Sequence, residues 1–121
     1  MFSVLIVEDH ELLRSLLARD VVRMRPDASV TSCGSVDEAL RLLASSPCDL
    51  VLLDLDLPDA RGFDGLRRIR DATSASVTIV SANSSRRVKE QALELGAGSF
   101  VEKGEDVDTF YAALRTVLRA R

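Results

Sequence analysis

Apolar residues along the chain follow two rhythms. One is the short, nearly continuous run: "FSVLIV" over 2–7, "LVLL" over 50–53 and "VTIV" over 77–80. Such runs fit strands covered on both faces, as in a parallel sheet. "SVTSC" over 29–33 and "SFVEK" over 99–103 are weaker and read as further strands. The other rhythm is helical. Leu12, Leu13, Leu16, Leu17, Val21 and Met24 share one face of a first helix, and Val36, Ala39, Leu40 and Leu43 recur at i, i+3, i+4, i+7 in a second. Ser35 with Glu38 three residues on makes a capping box at the second helix's start. Phe63, Leu66 and Ile69 mark a third helix. Val88, Ala92 and Leu95 mark a fourth, closed by Gly96 at a C′ position. Val107, Phe110, Tyr111, Leu114, Val117 and Leu118 mark the last. Strand and helix thus alternate as (βα)5, which predicts one α/β domain over 1–121 with a parallel sheet and helices on both faces. Right-handed crossovers leave few topologies, and the doubly wound order 2-1-3-4-5 is expected, with a crevice at the carboxyl ends of the strands.

Composition narrows the class. Of the 121 residues 46% are hydrophobic and 29% charged, a folded rather than a disordered mixture. The net charge of −3 argues against direct nucleic-acid binding by this domain. No apolar run approaches the ~18 residues of a membrane span, and the start "MFSVLIVEDH" lacks the basic segment of a signal peptide. A cytoplasmic protein with no membrane association is expected. Cys33 and Cys48 have no metal-binding spacing and read as small core residues in a reducing compartment.

Chemistry gathers where the strands end. Glu8 and Asp9 follow the first strand, Asp54 and Asp56 the third, Ser81 closes the fourth and Lys103 the fifth. In a parallel sheet these positions share one edge. Carboxylates so close repel one another unless a cation relieves them. Hard oxygen donors without His or Cys favour Mg2+, which accepts one or two carboxylates together with a phosphate. An ionised carboxylate can also attack phosphorus and carry an acyl phosphate. Singly, each residue has a plainer reading: Asp9 as a helix cap, Ser81 as a turn hydroxyl, Lys103 as a solvated lysine. Asp59 and Asp64 read as loop and helix-start residues, and His10 as a solvated or capping residue.

Taken in order, "VLIVEDH", "DLVLLDLDLPDARGFDG", "VTIVSAN" and "GAGSFVEKG" resemble the receiver domain of two-component response regulators over roughly residues 2–118, most of all the NarL/FixJ-like branch. The resemblance implies a flavodoxin-like fold, and the strand order above is taken from that fold, of which a chemotaxis receiver is a known example. It also implies roles: Asp54 as phosphoacceptor; Asp9 on Mg2+ directly, Glu8 through water and Asp56 through its backbone carbonyl; Ser81 and Lys103 on phosphoryl oxygens. Phe100 stands where the family has a rotating aromatic; a permanently buried core ring is the alternative. Asp56 and Asn83 fall where the family tunes dephosphorylation. Two positions depart from the pattern. Ser81 replaces the commoner Thr, and Gly104 stands after Lys103 where many relatives have Pro, which suggests unusual backbone angles there.

The implied function is a Mg2+-dependent switch. The donor is a sensor histidine kinase or histidine phosphotransfer protein, and the responding surface is the fourth helix, fifth strand and fifth helix. The domain assists its own phosphorylation and dephosphorylation but is no enzyme in the turnover sense. The chain ends at "RTVLRAR" with no output module, which reads as a standalone or excised receiver; Arg115, Arg119 and Arg121 read as solvated helix charges. The downstream protein or output domain is unassigned, and a homodimer formed on phosphorylation stays open. One rival is a phosphorylation-independent pseudo-receiver. The other is a haloacid-dehalogenase-type phosphatase built on "DLDLP", against which Leu57 stands where that motif prefers Thr or Val.

Overall fold

Because strand side chains alternate, a run that is apolar at every position feeds two cores at once. The computed structural model, which describes residues 1–119 other than 84 and 105, has that arrangement. Its elements are β1 (Phe2–Val7), α1 (Glu11–Met24), β2 (Ala28–Cys33), α2 (Val36–Ser45), β3 (Leu50–Leu53), α3 (Asp64–Ala72), β4 (Ser76–Ser81), α4 (Arg86–Glu94), β5 (Ser99–Glu102) and α5 (Val107–Arg119). The strands pair in parallel in the order β2-β1-β3-β4-β5. Leu5, Val7, Val51, Leu53, Val77 and Ile79 face α2, α3 and α4, where Val36, Ala39, Leu66, Ile69 and Ala92 are buried. Val4, Ile6, Leu50, Leu52, Val80 and Val101 face α1 and α5, against Leu17, Val21, Leu114 and Leu118. Each such side chain contributes roughly 1.5–3 kcal/mol on full burial.

The expected element set is present, with shifted edges. β2 starts at Ala28, β4 covers Ser76–Ser81, and β5 stops at Glu102, so Lys103 stands just past the strand. Phe63 precedes α3 as its N-cap rather than lying within it. The α1 stripe is narrower than its leucines suggest: Leu17 and Val21 are buried, but Leu12 is 65% and Leu16 37% exposed. The helix packs chiefly on β1, β2 and α5, and that packing leaves Leu12 and part of Leu16 uncovered. Cys33 is buried and Cys48 half-buried, both free, and burial pushes the Cys33 thiol up to about 11. Arg115 and Arg119 are exposed on α5, while Arg121 lies outside the described residues.

Local signals explain several ends. Ser35 Oγ accepts from the Glu38 N–H at 3.2 Å, and His10 Nδ1 accepts from the Leu13 N–H at 3.3 Å. Asp59 is more than a loop residue: its two carboxylate oxygens accept from the Val36 and Asp37 N–H groups, each at 3.0 Å. Gly96, at φ 103°, turns the chain after α4 as a C′ glycine does. Gly104 is not among the glycines of positive φ, so the step after Lys103 needs no special backbone.

Candidate functional site

The sheet ladder runs one residue past three strand ends and so fixes where the polar side chains start. Glu8 N–H donates to Cys33 O at 3.0 Å, Asp54 N–H to Val7 O at 3.0 Å, and Lys103 N–H to Ser81 O at 2.9 Å. With β1, β3, β4 and β5 side by side, Glu8, Asp54, Ser81 and Lys103 emerge along one edge. Glu8 is 3% exposed, Asp54 7% and Ser81 fully buried, while Asp9 is exposed.

Carboxylate oxygens of Glu8, Asp9 and Asp54 lie within 4.8 Å of one another. The Lys103 ammonium sits 2.6 Å from Glu8 Oε1 and 3.6 Å from Asp54 Oδ2. The Asp56 N–H donates to Asp54 Oδ1 at 3.1 Å, while the Asp56 side chain points outward and is exposed. Burial pushes the Asp54 carboxyl up to about 6, helped by the negative charge of Glu8 and opposed by the Asp56 N–H and Lys103. Glu8 feels burial in the same sense, yet the Lys103 hydrogen bond and charge, with the His10 N–H, hold it below its ordinary value. Three acids against one ammonium leave room in charge for a divalent cation. The donors are all oxygens, with no imidazole or thiolate among them, so a hard ion such as Mg2+ fits the set.

The remaining expected residues surround this centre. Ser81 Oγ accepts from the Asn83 N–H at 3.1 Å. Asn83 itself is exposed, and its Oδ1 accepts from the Ser85 N–H at 3.4 Å, ahead of α4. Phe100 is half-buried against the α2–α4 side of the sheet, with Lys89 Nζ 6.0 Å from its ring centroid. Lys89 also pairs with Glu102 at 2.8 Å, tying α4 to β5. Arg14, which the sequence did not single out, and Asp59, read there as a loop residue, also reach the site's framework. Arg14 Nη1 donates to the Glu8 carbonyl at 3.1 Å, and Asp59 ties the β3–α3 loop to α2. Neither follows from a spacing rule.

Among the described residues no helix is long and apolar enough to cross a membrane. Residues 4–115 match the family model described as the response regulator receiver domain. The transcriptional regulatory protein KdpE of Mycobacterium tuberculosis is 38% identical over 120 residues, which are 98% of this chain and 52% of KdpE. The chain spans about half the length of the curated relatives it matches. Among solved structures, the NarL signal receiver domain from Mycobacterium tuberculosis superposes with a TM-score of 0.80 at 24% identity, covering 99% of this chain and 98% of that one. At that identity the likeness shows the fold. A Burkholderia pseudomallei response regulator, solved with a phosphorylated aspartic acid and a calcium ion, superposes at 0.80 with 25% identity, over 98% of this chain and 69% of its own. A family match across nearly the whole chain, joined to a (βα)5 sheet with acids and a lysine at its carboxyl edge, identifies the chain as a member of the receiver domains of two-component response regulators.

Proposed function

We propose that Asp54 is the phosphoacceptor of this receiver, in a domain extending over 1–121, and that Glu8, Asp9, Asp54 and the Asp56 carbonyl hold Mg2+. The single observation that carries the reading is the convergence of Glu8, Asp9 and Asp54 beside the Lys103 ammonium. Response regulators receive their phosphoryl group from histidine kinases, and a kinase or a histidine phosphotransfer protein is the donor in this reading. An Asp54 oxygen attacks phosphorus, the P–N bond to the donor imidazole breaks, and the imidazole leaves with a proton from solvent. Bound Mg2+ supplies charge neutralisation for the transferring phosphoryl oxygens. Lys103, now closer to Glu8 than to Asp54, has a phosphoryl oxygen to turn to. Ser81 gives up its contact with the Asn83 N–H to donate to another.

Movement of Ser81 frees space beside β5, into which Phe100 turns, altering the α4–β5–α5 surface. One or two charge-assisted hydrogen bonds, at about 1.5–3 kcal/mol each, are of the size a two-state population shift requires. Asp56 and Asn83 set how fast the acyl phosphate is lost. The reading places the domain in the cytoplasm and, by analogy with KdpE, puts a transcriptional output under its control. The receiver-family match runs against the phosphatase reading.

The test is incubation with acetyl phosphate or phosphoramidate and Mg2+, followed by intact mass. One added phosphoryl group is expected, lost in Asp54→Asn and on chelation. No gain, with no Mg2+ uptake, would establish the pseudo-receiver instead; sustained phosphate turnover would restore the phosphatase.

A further inference from the structure

Consecutive side chains of an extended strand point to opposite faces. Glu8 and Asp9 are consecutive, yet both bring an oxygen to the same small space beside Asp54. The peptide joining them is therefore turned out of the strand, and it needs something to hold it. On one side of Glu8, its N–H is bound to Cys33 O on β2. On the other, its carbonyl accepts a hydrogen bond from Nη1 of Arg14, in the first turn of α1, at 3.1 Å. The guanidinium reaches there because residue 34 has no side chain: a Cβ on Gly34 would lie 2.8 Å from Arg14 Nη1, 3.8 Å from Asp9 Cα and 3.9 Å from the Glu8 carbonyl oxygen. Gly34 is not among the positive-φ glycines, so what it provides is space rather than backbone freedom.

We propose that Arg14 is a positioning residue for the divalent cation, holding the Glu8–Asp9 peptide so that both carboxylates face Asp54, with Gly34 as the gap that admits its guanidinium. This rests on the Mg2+ reading above. The bond is charge-assisted and therefore stronger than one between neutral groups. The planar fork of arginine keeps its direction where a lysine ammonium would not. The guanidinium binds a peptide oxygen, so it takes none of the carboxylate oxygens that would hold the metal.

Calorimetric titration with Mg2+ tests this on wild type, Arg14→Gln, Gly34→Ala and the double variant. Groups that orient metal ligands without touching the metal change affinity roughly 10- to 100-fold. Each single variant is expected to bind Mg2+ about tenfold more weakly. The double variant is expected to be no weaker than the worse single one, because both changes act through one carbonyl. Arg25→Gln serves as the control. Its guanidinium holds the Leu118 carbonyl at 2.8 Å, at the far end of α1, so its loss lowers the melting temperature and leaves Mg2+ affinity unchanged. Unchanged affinity in Gly34→Ala overturns the proposal even where Arg14→Gln fails to fold, and so do losses that multiply in the double variant. A wild type that takes up no Mg2+ overturns the underlying reading as well.

Discussion

A carboxyl group buried at position 54 meets opposing demands: its neighbours include one ammonium and two further acids. Burial wins, and the group titrates at about 6 rather than at the ordinary 3.8. Folded protein therefore keeps this proton between roughly pH 4 and 6, where unfolded chain has already released it. The stabilisation from this group is full below the unfolded value and is lost as pH rises through 6. Glu8 has the opposite sign, since its lowered pKa stabilises above its ordinary 4.5 and is lost only as acid protonates it. Asp54→Asn keeps the shape without the charge. In chelator at pH 7.5 it is expected to be more stable than wild type by about 1–3 kcal/mol, a difference that shrinks towards pH 4. Thermal melts across pH read this directly; equal stability at pH 7.5 would remove burial as the dominant influence. Asp54 itself was legible because it ends an apolar strand, as were Glu8, Ser81 and Lys103. Arg14 and Asp59 were not, because each binds peptide groups that only the folded chain brings near.

Elements were legible where one rule governs them. The capping box at Ser35 and the glycine closing α4 follow from local chemistry and are found in place. The breadth of the α1 stripe was overread, since periodicity marks what can be buried and the partners decide what is. The start of α2 adds a lesson of its own, for it is served twice. Ser35 takes one N–H, and Asp59, from the loop after β3, takes two more and brings a negative charge to the helix's positive end. Asp37 of α2 also pairs with Arg68 of α3 at 2.6 Å, so the two helices are joined across the same loop. Asp59→Ala is expected to cost about 1–2 kcal/mol in urea denaturation, and Ser35→Ala about 1 kcal/mol. Asp59→Asn, which keeps one acceptor and loses the charge, falls between wild type and alanine. If Asp59→Ala costs less than Ser35→Ala, the distant carboxylate is a bystander and the local cap holds the helix alone.

At the scale of the molecule, the strand order decides whether there is a site at all. The alternation of β and α implied a parallel sheet covered on both faces, but the order came from the fold it resembles, because local pattern does not say which strand lies beside which. In the observed order β1, β3, β4 and β5 adjoin, and residues 46 and 49 positions apart, Glu8, Asp54 and Lys103, close one electrostatic circuit. Two of these acids are buried and belong to the core's edge as much as to the site. Asp9 differs: it is exposed, yet its carboxylate completes the oxygen cluster. It is thus the position at which folding and metal binding can be separated. Its loss removes one of three clustered negative charges without emptying a buried position, so Asp9→Asn should melt no lower than wild type in chelator. A ligand that binds only folded protein stabilises it by about 2.7 kcal/mol at a hundred times its dissociation constant. Saturating Mg2+ should therefore raise the wild-type melting temperature at pH 7.5 and leave Asp9→Asn almost unmoved. A variant that melts lower without metal would tie Asp9 to the fold. A Mg2+ response equal to wild type's would mean that the cation is held by Glu8, Asp54 and the neighbouring peptide without it.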